Sequence, residues 1–462
     1  MGEKLKEPIA AVLLAAGSST RFGGNKLLQP LNGKPVYRYM LELLYEKQKE
    51  RCIGRVLVVS QYDSIFADIR EHFPGVEVVR NRRPQQGIAS SLRLGLARLL
   101  QQDGGLGACL FAVADQPGFS AASFEKMLDF WQANPYGIVA AGYRTKEGSR
   151  MQMKNPVIFS SAYFEKLLSL TGDVGGRQVI RAHLQDTGIC EIPQAELQDL
   201  DTADAFLRLQ FPFLCEAGHV IALVGAGGKT TLMDTFAACY AQRGSTAVVT
   251  TTTRIMRPKQ YPVAYQMEQL REMLSGTQTA GAGEQEAGRA ASAGAGQQKT
   301  GRIVAAGTDA PEGKLRMPDR ISITDLAEAA DVVFVEADGA KRLPCKAPRE
   351  KEPVIPKECD IVVGVMGMDT LGQPLAQVCF CAEQVMQLLG VDKKHRMTEE
   401  DMARLLHSEQ GTRKGVGNRD YYIVLNKCDD VQTMKRAQTV ERLLRQAGEE
   451  HIACISLRNI QN

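Results

Sequence analysis

The residues best suited to do chemistry in this chain are cations set among small residues. Ala15, Ala16, Gly17, Ser18 and Ser19 follow an apolar run that starts at Ile9, and Arg21 and Lys26 come just behind them. Small residues let backbone N–H groups close on an anion, and this stretch leaves room for a triphosphate. A guanidinium forks onto phosphate oxygens, whereas a lysine acts as a mobile point charge. The stretch therefore reads as a phosphate cradle; the plain alternative is a strand-to-helix turn carrying two solvated cations. A second such stretch is Gly225-Ala226-Gly227-Gly228-Lys229-Thr230-Thr231, behind the apolar run 219–225. It reads as a shortened P-loop, because the usual GxxxxGK[ST] spacing would place a glycine where Leu223 stands.

Carboxylates stand where each cradle would need them. Asp115 ends the apolar stretch 108–114, and a carboxylate at a strand end beside a triphosphate site can hold Mg²⁺. The alternative is that Asp115 caps the helix near Ser120. In the second half the apolar run 332–335 ends in Glu336 and Asp338, candidates for a metal ligand opposite the loop. Tyr421 to Leu425 is followed by Asn426-Lys427-Cys428-Asp429, similar to the NKxD base reader of GTPases. Gln86, Gly87, Ser90 and Ser91 fall where a loop becomes a helix, so they suit either a base or phosphate contact or a helix cap. Lys341, Lys346 and Arg349 suit either an anion or a solvated loop.

The elements that must position these groups alternate. Helical spacing runs from Val36 to Lys49 and over 88–101, and buried-strand runs cover 9–15, 55–60, 76–80 and 108–114. This βαβ rhythm predicts a mostly parallel sheet with ligands at the carboxyl ends of its strands. With 462 residues, two or three domains are expected. Residues 1–206 are predicted as one α/β domain, 207–218 as a linker and 219–462 as a second. Residues 275–302, almost without large apolar side chains, are predicted as a disordered insert.

A net charge of +3 argues against a nucleic-acid binder working through a broad basic surface. No run approaches the length that spans a bilayer and no secretory leader is evident, so a cytoplasmic protein acting on small molecules, with neither nucleic acid nor membrane as partner, is expected. Eleven cysteines without metal-finger spacing fit reduced thiols, and Cys379 and Cys381, in apolar surroundings, read as buried ones.

The first half resembles a known family. LLAAGSSTRFGGNKLLQPLNGKPV is similar to the signature of the MobA-like nucleotidyltransferases of molybdenum cofactor biosynthesis. Further segments follow in the family's order: Pro84 to Ser91, Asp115-Gln116-Pro117, Asn155-Pro156-Val157, Gly172-Asp173-Val174-Gly175-Gly176-Arg177 and Asp199-Leu200-Asp201-Thr202. The loop and the QGIASS and DQP segments resemble the cytidylyltransferases more than the guanylyltransferases. The resemblance implies a Rossmann-like nucleotidyltransferase domain that uses CTP and Mg²⁺. Its acceptor would be Mo-molybdopterin, with Arg21 and Lys26 catalytic. Nucleotide contacts would come from Ala15, Ala16, Gly17, Ser18, Ser19, Gln86, Gly87, Ser90 and Ser91. The second carboxylate for the metal would be Asp173 or Asp201, with the choice open.

The second half, through VGAGGKTT, Thr250 to Thr253, VEADGAKRLPCKAP and LNKCD, resembles the YqeC-like selenium-dependent hydroxylase accessory proteins. That resemblance implies a P-loop-type α/β domain using ATP or GTP and a molybdenum hydroxylase apoprotein as partner. The assignments there are Gly225, Gly227, Gly228, Lys229, Thr230 and Thr231 for phosphate, Glu336 and Asp338 for metal, and Asn426, Lys427 and Asp429 for base. The alternatives weighed are a same-fold transferase using GTP or a sugar phosphate, and a molybdopterin-binding chaperone with transfer secondary.

Overall fold

The computed structural model describes residues 9–17, 25–102, 105–144, 151–276 and 301–458. Ser18, Ser19, Arg21 and most of the expected insert lie outside the described residues. The chain divides into two compact units, 1–30 with 34–203, and 31–33 with 204–462.

The first unit is built on a seven-stranded sheet: β1 Ile9–Ala15, β2 Val56–Ser60, β3 Glu77–Arg80, β4 Ala108–Val113, β5 Ile138–Arg144, β6 Met151–Ser160 and β7 Thr187–Glu191, in the order β3-β2-β1-β4-β6-β5-β7. β1 pairs in parallel with both neighbours, Leu13 standing opposite Val58 on one side and Ala112 on the other. Its continuous apolar run is what such a position demands, since both faces of an interior parallel strand are covered. The exception to the parallel rhythm is β6, which runs antiparallel to β4 and β5.

Helices α1, Val36–Lys49, and α2, Ile88–Gln102, cover the sheet. α1 starts directly behind Pro35, whose fixed φ suits a helix start, and buries Val36, Met40, Leu41 and Leu44 on one stripe. α3, Ala121–Ala133, is capped by Ser120, whose hydroxyl accepts from Ser123 N. Capping there belongs to Ser120, not to Asp115.

The second unit holds an eight-stranded sheet: β8 His219–Gly225, β9 Thr246–Thr251, β10 Val263–Ala264, β11 Arg302–Ala306, β12 Val332–Glu336, β13 Ile361–Gly367, β14 Asp420–Asn426 and β15 His451–Cys454, ordered β10-β11-β9-β12-β8-β13-β14-β15. Every pairing in it is parallel. β8 lies at the point where the order turns back, the place where open α/β sheets leave a crevice at their carboxyl ends. The glycine-rich loop issues from that end of β8 into helix α5, Lys229–Gln242.

The segment expected as a linker belongs to this unit. Helix α4, Ala203–Gln210, buries Phe206 and Leu207, and Phe211, Phe213 and Leu214 enter the same core, where Phe211 meets Phe236 with ring centroids 4.8 Å apart. The rims of the expected insert are ordered too: a helix runs to Ser275 and is stopped by Gly276 in the left-handed conformation, and β11 starts at Arg302.

Candidate functional site

In the first unit the chain ends two parallel strands side by side, and the loops beyond them carry the polar groups. Lys26 Nζ lies 2.5 Å from Asp115 Oδ2 and 3.0 Å from Asp201 Oδ1. Residues far apart in sequence meet here because Leu200 N donates to the carbonyl of Asp115 at 2.9 Å, which fastens the 199–201 turn to the end of β4. Asp199 is held in turn by Gln116 Nε2 and Lys154 Nζ, each at 2.8 Å.

The charges are unequal. Burial, with Asp199 and Asp201 nearby, raises the Asp115 carboxyl above its ordinary value despite the opposing pull of Lys26. Burial would lower the Lys26 ammonium, but Asp115 and Asp201 outweigh it and hold the ammonium above its ordinary value. Both values move up, which disfavours the charged form of the buried Asp115 and favours the charged form of Lys26.

Of the other expected site residues, Ala15 ends β1, and the loop behind it is pinned by its carbonyls. Gln61 Nε2 donates to Ala16 O at 2.9 Å, and the Tyr62 hydroxyl donates to Gly17 O at 2.6 Å. Gly87 has φ +81, and a Cβ there would lie 2.4 Å from Gly172 O, so the two family segments approach closely through that glycine. Asp173 sits in this second group, its Oδ1 3.4 Å from Ile88 N at the start of α2 and away from the Lys26 cluster. Gln86 is exposed. Ser90 and Ser91 are buried and accept from the Asn81 side-chain amide at 2.9 and 2.8 Å, which ties the loop to α2. Lys154, Gln61, Tyr62 and Asn81 were not singled out in the sequence; none carries a motif, and only their position beside the loops reveals them.

In the second unit the glycine-rich loop is drawn tight. Gly225, Gly227 and Gly228 all have positive φ. A Cβ on Gly227 would fall 2.2 Å from Gly367 N, and one on Gly228 2.3 Å from Asn426 Nδ2. Lys229 Nζ donates to Gly225 O at 2.6 Å and lies 2.9 Å from Asp338 Oδ1. Thr230 Oγ1 donates to Glu336 Oε2 at 2.9 Å. Burial would lower the Lys229 ammonium, but Asp338 and Glu336 outweigh it and raise it; burial raises the Glu336 carboxyl despite Lys229.

The two expected metal ligands part company here. Glu336 lines a cleft of about 1200 Å³ together with Gly228, Lys229 and Thr230, whereas Asp338 is buried beneath, accepting from Gly225 N at 3.0 Å and pairing with Lys229 and Lys346. Thr231 borders both this cleft and a smaller cavity of about 370 Å³ lined by Asn426, Lys427 and Asp429. Asn426 is mostly committed to the loop, donating to Gly227 O at 2.7 Å, while Lys427 pairs with Asp369 at 2.6 Å and Asp429 accepts from Ser456 Oγ at 2.6 Å. Cys379 is buried as expected and Cys381 is half-buried. Among the described residues no helix is long and apolar enough to cross a membrane, and no group of three or more His, Cys, Asp or Glu is placed to hold a metal.

The fold and these loops define a two-part α/β protein with a cluster of polar groups at strand carboxyl ends in each part. Residues 11–187 match the family described as MobA-like NTP transferase domain, and residues 221–383 match that described as YqeC protein. The chain thus joins a nucleotidyltransferase domain to a YqeC domain. The Uncharacterized protein YqeC of Escherichia coli (strain K12) is 27% identical over 250 residues, covering 52% of this chain and 88% of that protein. Among solved structures, Rv0371c from Mycobacterium tuberculosis H37Rv is 23% identical over 44% of this chain and 96% of its own, with a TM-score of 0.36. The 4-diphosphocytidyl-2C-methyl-D-erythritol synthase of Anaerococcus prevotii DSM 20548 is 19% identical, covering 44% of this chain and 96% of its own at a TM-score of 0.36.

Proposed function

We propose that the first unit transfers CMP from CTP to Mo-molybdopterin with release of pyrophosphate, and that the second is a nucleotide-binding accessory domain for maturing a molybdenum hydroxylase in the cytoplasm. The observation that carries the transfer reading is Lys26 held between Asp115 and Asp201 at the end of β4. The choice of CTP and of the pterin rests on the resemblance of the loop, QGIASS and DQP segments to cytidylyltransferases.

The acceptor in this reading is a phosphate monoester, already ionised at neutral pH, so no general base is needed. Its oxygen forms a bond to the α-phosphorus while the bond from that phosphorus to the bridging oxygen breaks, and the electron pair leaves with pyrophosphate. Positioning and charge neutralisation then make up the catalysis. Lys26 and Arg21 supply positive charge at the phosphates, and the N–H groups behind Ala15 orient them. The donor set suits a divalent ion: two carboxylates converge on one ammonium, and Asp115, raised chiefly by burial and further by Asp199 and Asp201, is a carboxyl whose ionised form a bound cation would favour. Asp115 and Asp201 would hold such an ion, which supplies further charge neutralisation on the triphosphate. Asp173 is instead assigned to the Gly87 contact.

In the second unit, loop residues Gly225 to Thr231 are read as a phosphate site, Thr230 and Glu336 as the pair facing a divalent ion, and the cavity at Asp429 and Lys427 as the place for a base. The test is pyrophosphate release by the full chain with Mo-molybdopterin and Mg²⁺, comparing CTP, GTP and ATP. Release that is fastest with CTP and lost in Lys26→Ala supports the reading; absence of release with all three nucleotides, or equal release in that variant, overturns it.

A further inference from the structure

The cleft of the second unit carries more positive charge than the glycine loop can use. Three of its lining cations are already answered within the protein: Lys229 by Asp338, Lys314 by Glu312 and Lys427 by Asp369. Arg254, which also acts on Glu312, lines the same cleft together with Lys341, Arg342 and Arg349, and among the described residues no carboxylate forms an ion pair with the side chains of these last three. Glu352, which also lines it, is already engaged by Lys346 at 2.7 Å. Like charges gathered in one concave wall repel one another and focus a positive field into the cavity, an arrangement that a bound anion relieves.

The wall is built, not a loose fringe. Cys345–Lys346 pairs in parallel with Cys379–Phe380, and Ala347 N donates to Phe380 O at 3.3 Å, so two distant segments are locked side by side. This sets the Phe380 ring under the cations, with the Arg349 guanidinium 4.8 Å and the Lys341 ammonium 5.5 Å from its centroid. A guanidinium lying on a ring keeps its N–H edge for another partner. Lys341 and Arg342 are consecutive residues with φ +47 and +65, a left-handed pair that is strained for non-glycine residues. Such strain persists where the surroundings over-determine it, and it is common at ligand clamps.

Lys346 is not part of the receptor. It is 1% exposed, donates to Gly339 O at 2.7 Å and is shared between Asp338 and Glu352, so it supports the wall from below.

The geometry points to a second oxyanion site in this cleft, formed by Lys341, Arg342 and Arg349 around Phe380, which takes a phosphate-type dianion. Its place beside a nucleotide rests on the phosphate-loop reading proposed above; the oxyanion binding itself does not. The anion is either the terminal phosphate of a nucleotide seated on the loop or the phosphate of a separate molecule.

Calorimetric titration of the full chain with inorganic phosphate tests the site, on the wild type and on the exposed double variant Lys341→Ala/Arg349→Ala, first without nucleotide and then with saturating ADP. The wild type should bind phosphate in both conditions, and the double variant should lose at least tenfold of that affinity with an unchanged unfolding temperature. Arg349→Lys should recover only part, because an ammonium cannot grip two oxygens at once. Repeating the titration with a non-hydrolysable ATP analogue separates the sources. Displacement of phosphate assigns the site to the nucleotide's own terminal phosphate, and simultaneous binding assigns it to a second molecule. Equal phosphate affinity in wild type and double variant overturns the proposal. Failure of ADP to bind, with an Arg349-dependent phosphate site retained, would remove the loop reading and leave this one standing.

Discussion

Replacing Lys26 by methionine should move two observables in opposite directions. In the folded chain the ammonium is 2.5 Å from Asp115, whose side chain is 20% exposed, and 3.0 Å from Asp201, whose side chain is 57% exposed. The exposed contact is largely screened and contributes little, about 0–1 kcal/mol. The contact with Asp115 is the stronger, of order 4 kcal/mol for unit charges ~4 Å apart at an effective dielectric of ~20. A divalent ion entering between these carboxylates must displace the ammonium toward solvent, which recovers part of the energy, so roughly half of that interaction is taken to oppose the ion. Removing the competitor should then tighten metal binding without nucleotide by about 2 kcal/mol, or about 30-fold. The same substitution takes a charge from the phosphates during transfer, and losing one such group costs about 10²- to 10³-fold in turnover. Mn²⁺ binding followed by electron paramagnetic resonance reads the first effect, and pyrophosphate release reads the second. Weaker or unchanged metal binding would refute the idea that Lys26 and the ion share Asp115, and unchanged turnover would refute its action on the phosphates.

Metal affinity in the first unit should fall with acidity earlier than an ordinary aspartate predicts. Asp115 is raised by burial and by its neighbours, so protons compete from a higher pH downward, and Asp115→Asn should flatten the profile. The same raised value means that ionising Asp115 costs the folded state, so its contribution to stability declines as pH rises from the ordinary carboxyl range through the folded value, which acid-side unfolding curves of wild type and Asp115→Asn would read. In the second unit Gly228→Ala should weaken nucleotide binding at least tenfold, because its φ is +126 and the new Cβ would meet Asn426 Nδ2 at 2.3 Å; strain of about 1–3 kcal/mol should also appear in denaturant unfolding. Lys346→Met should cost about 3 kcal/mol in the same assay, since it strips one of two cations from buried Asp338. Asn81→Ala should cost about 1–3 kcal/mol by removing the amide that donates to buried Ser91 and Ser90, the latter keeping its bond to Gly87 O, with transfer reduced through a loosened Gly87 loop.

Much of this protein could be read from local pattern. Apolar runs such as Ile9–Ala15 and His219–Gly225 announce interior parallel strands because both faces are covered, and the helical spacing of α1 survives intact because one stripe of it meets the sheet. The two cradles could be proposed from sequence for the same reason, since their chemistry would be carried by consecutive residues. What the sequence alone left open were relations between distant segments. Asp201 and Asp173 are equivalent on paper; the Leu200–Asp115 backbone bond brings the first to Lys26, while the close approach at Gly87 carries the second to the start of α2. Glu336 and Asp338 differ by two positions, yet one faces the cleft and the other turns under the loop to neutralise Lys229. Ser90 and Ser91 have the composition of a ligand contact, but Asn81 claims them from the neighbouring strand end. The segment 207–218 was expected as a linker, and the aromatic core around Phe236 makes its residues Leu207 to Leu214 part of a domain. Sequence fixes what a stretch of chain prefers to become, because propensity and periodicity act over a few residues. Tertiary structure decides which charge meets which, because a carboxylate's role depends on neighbours brought in from elsewhere along the chain.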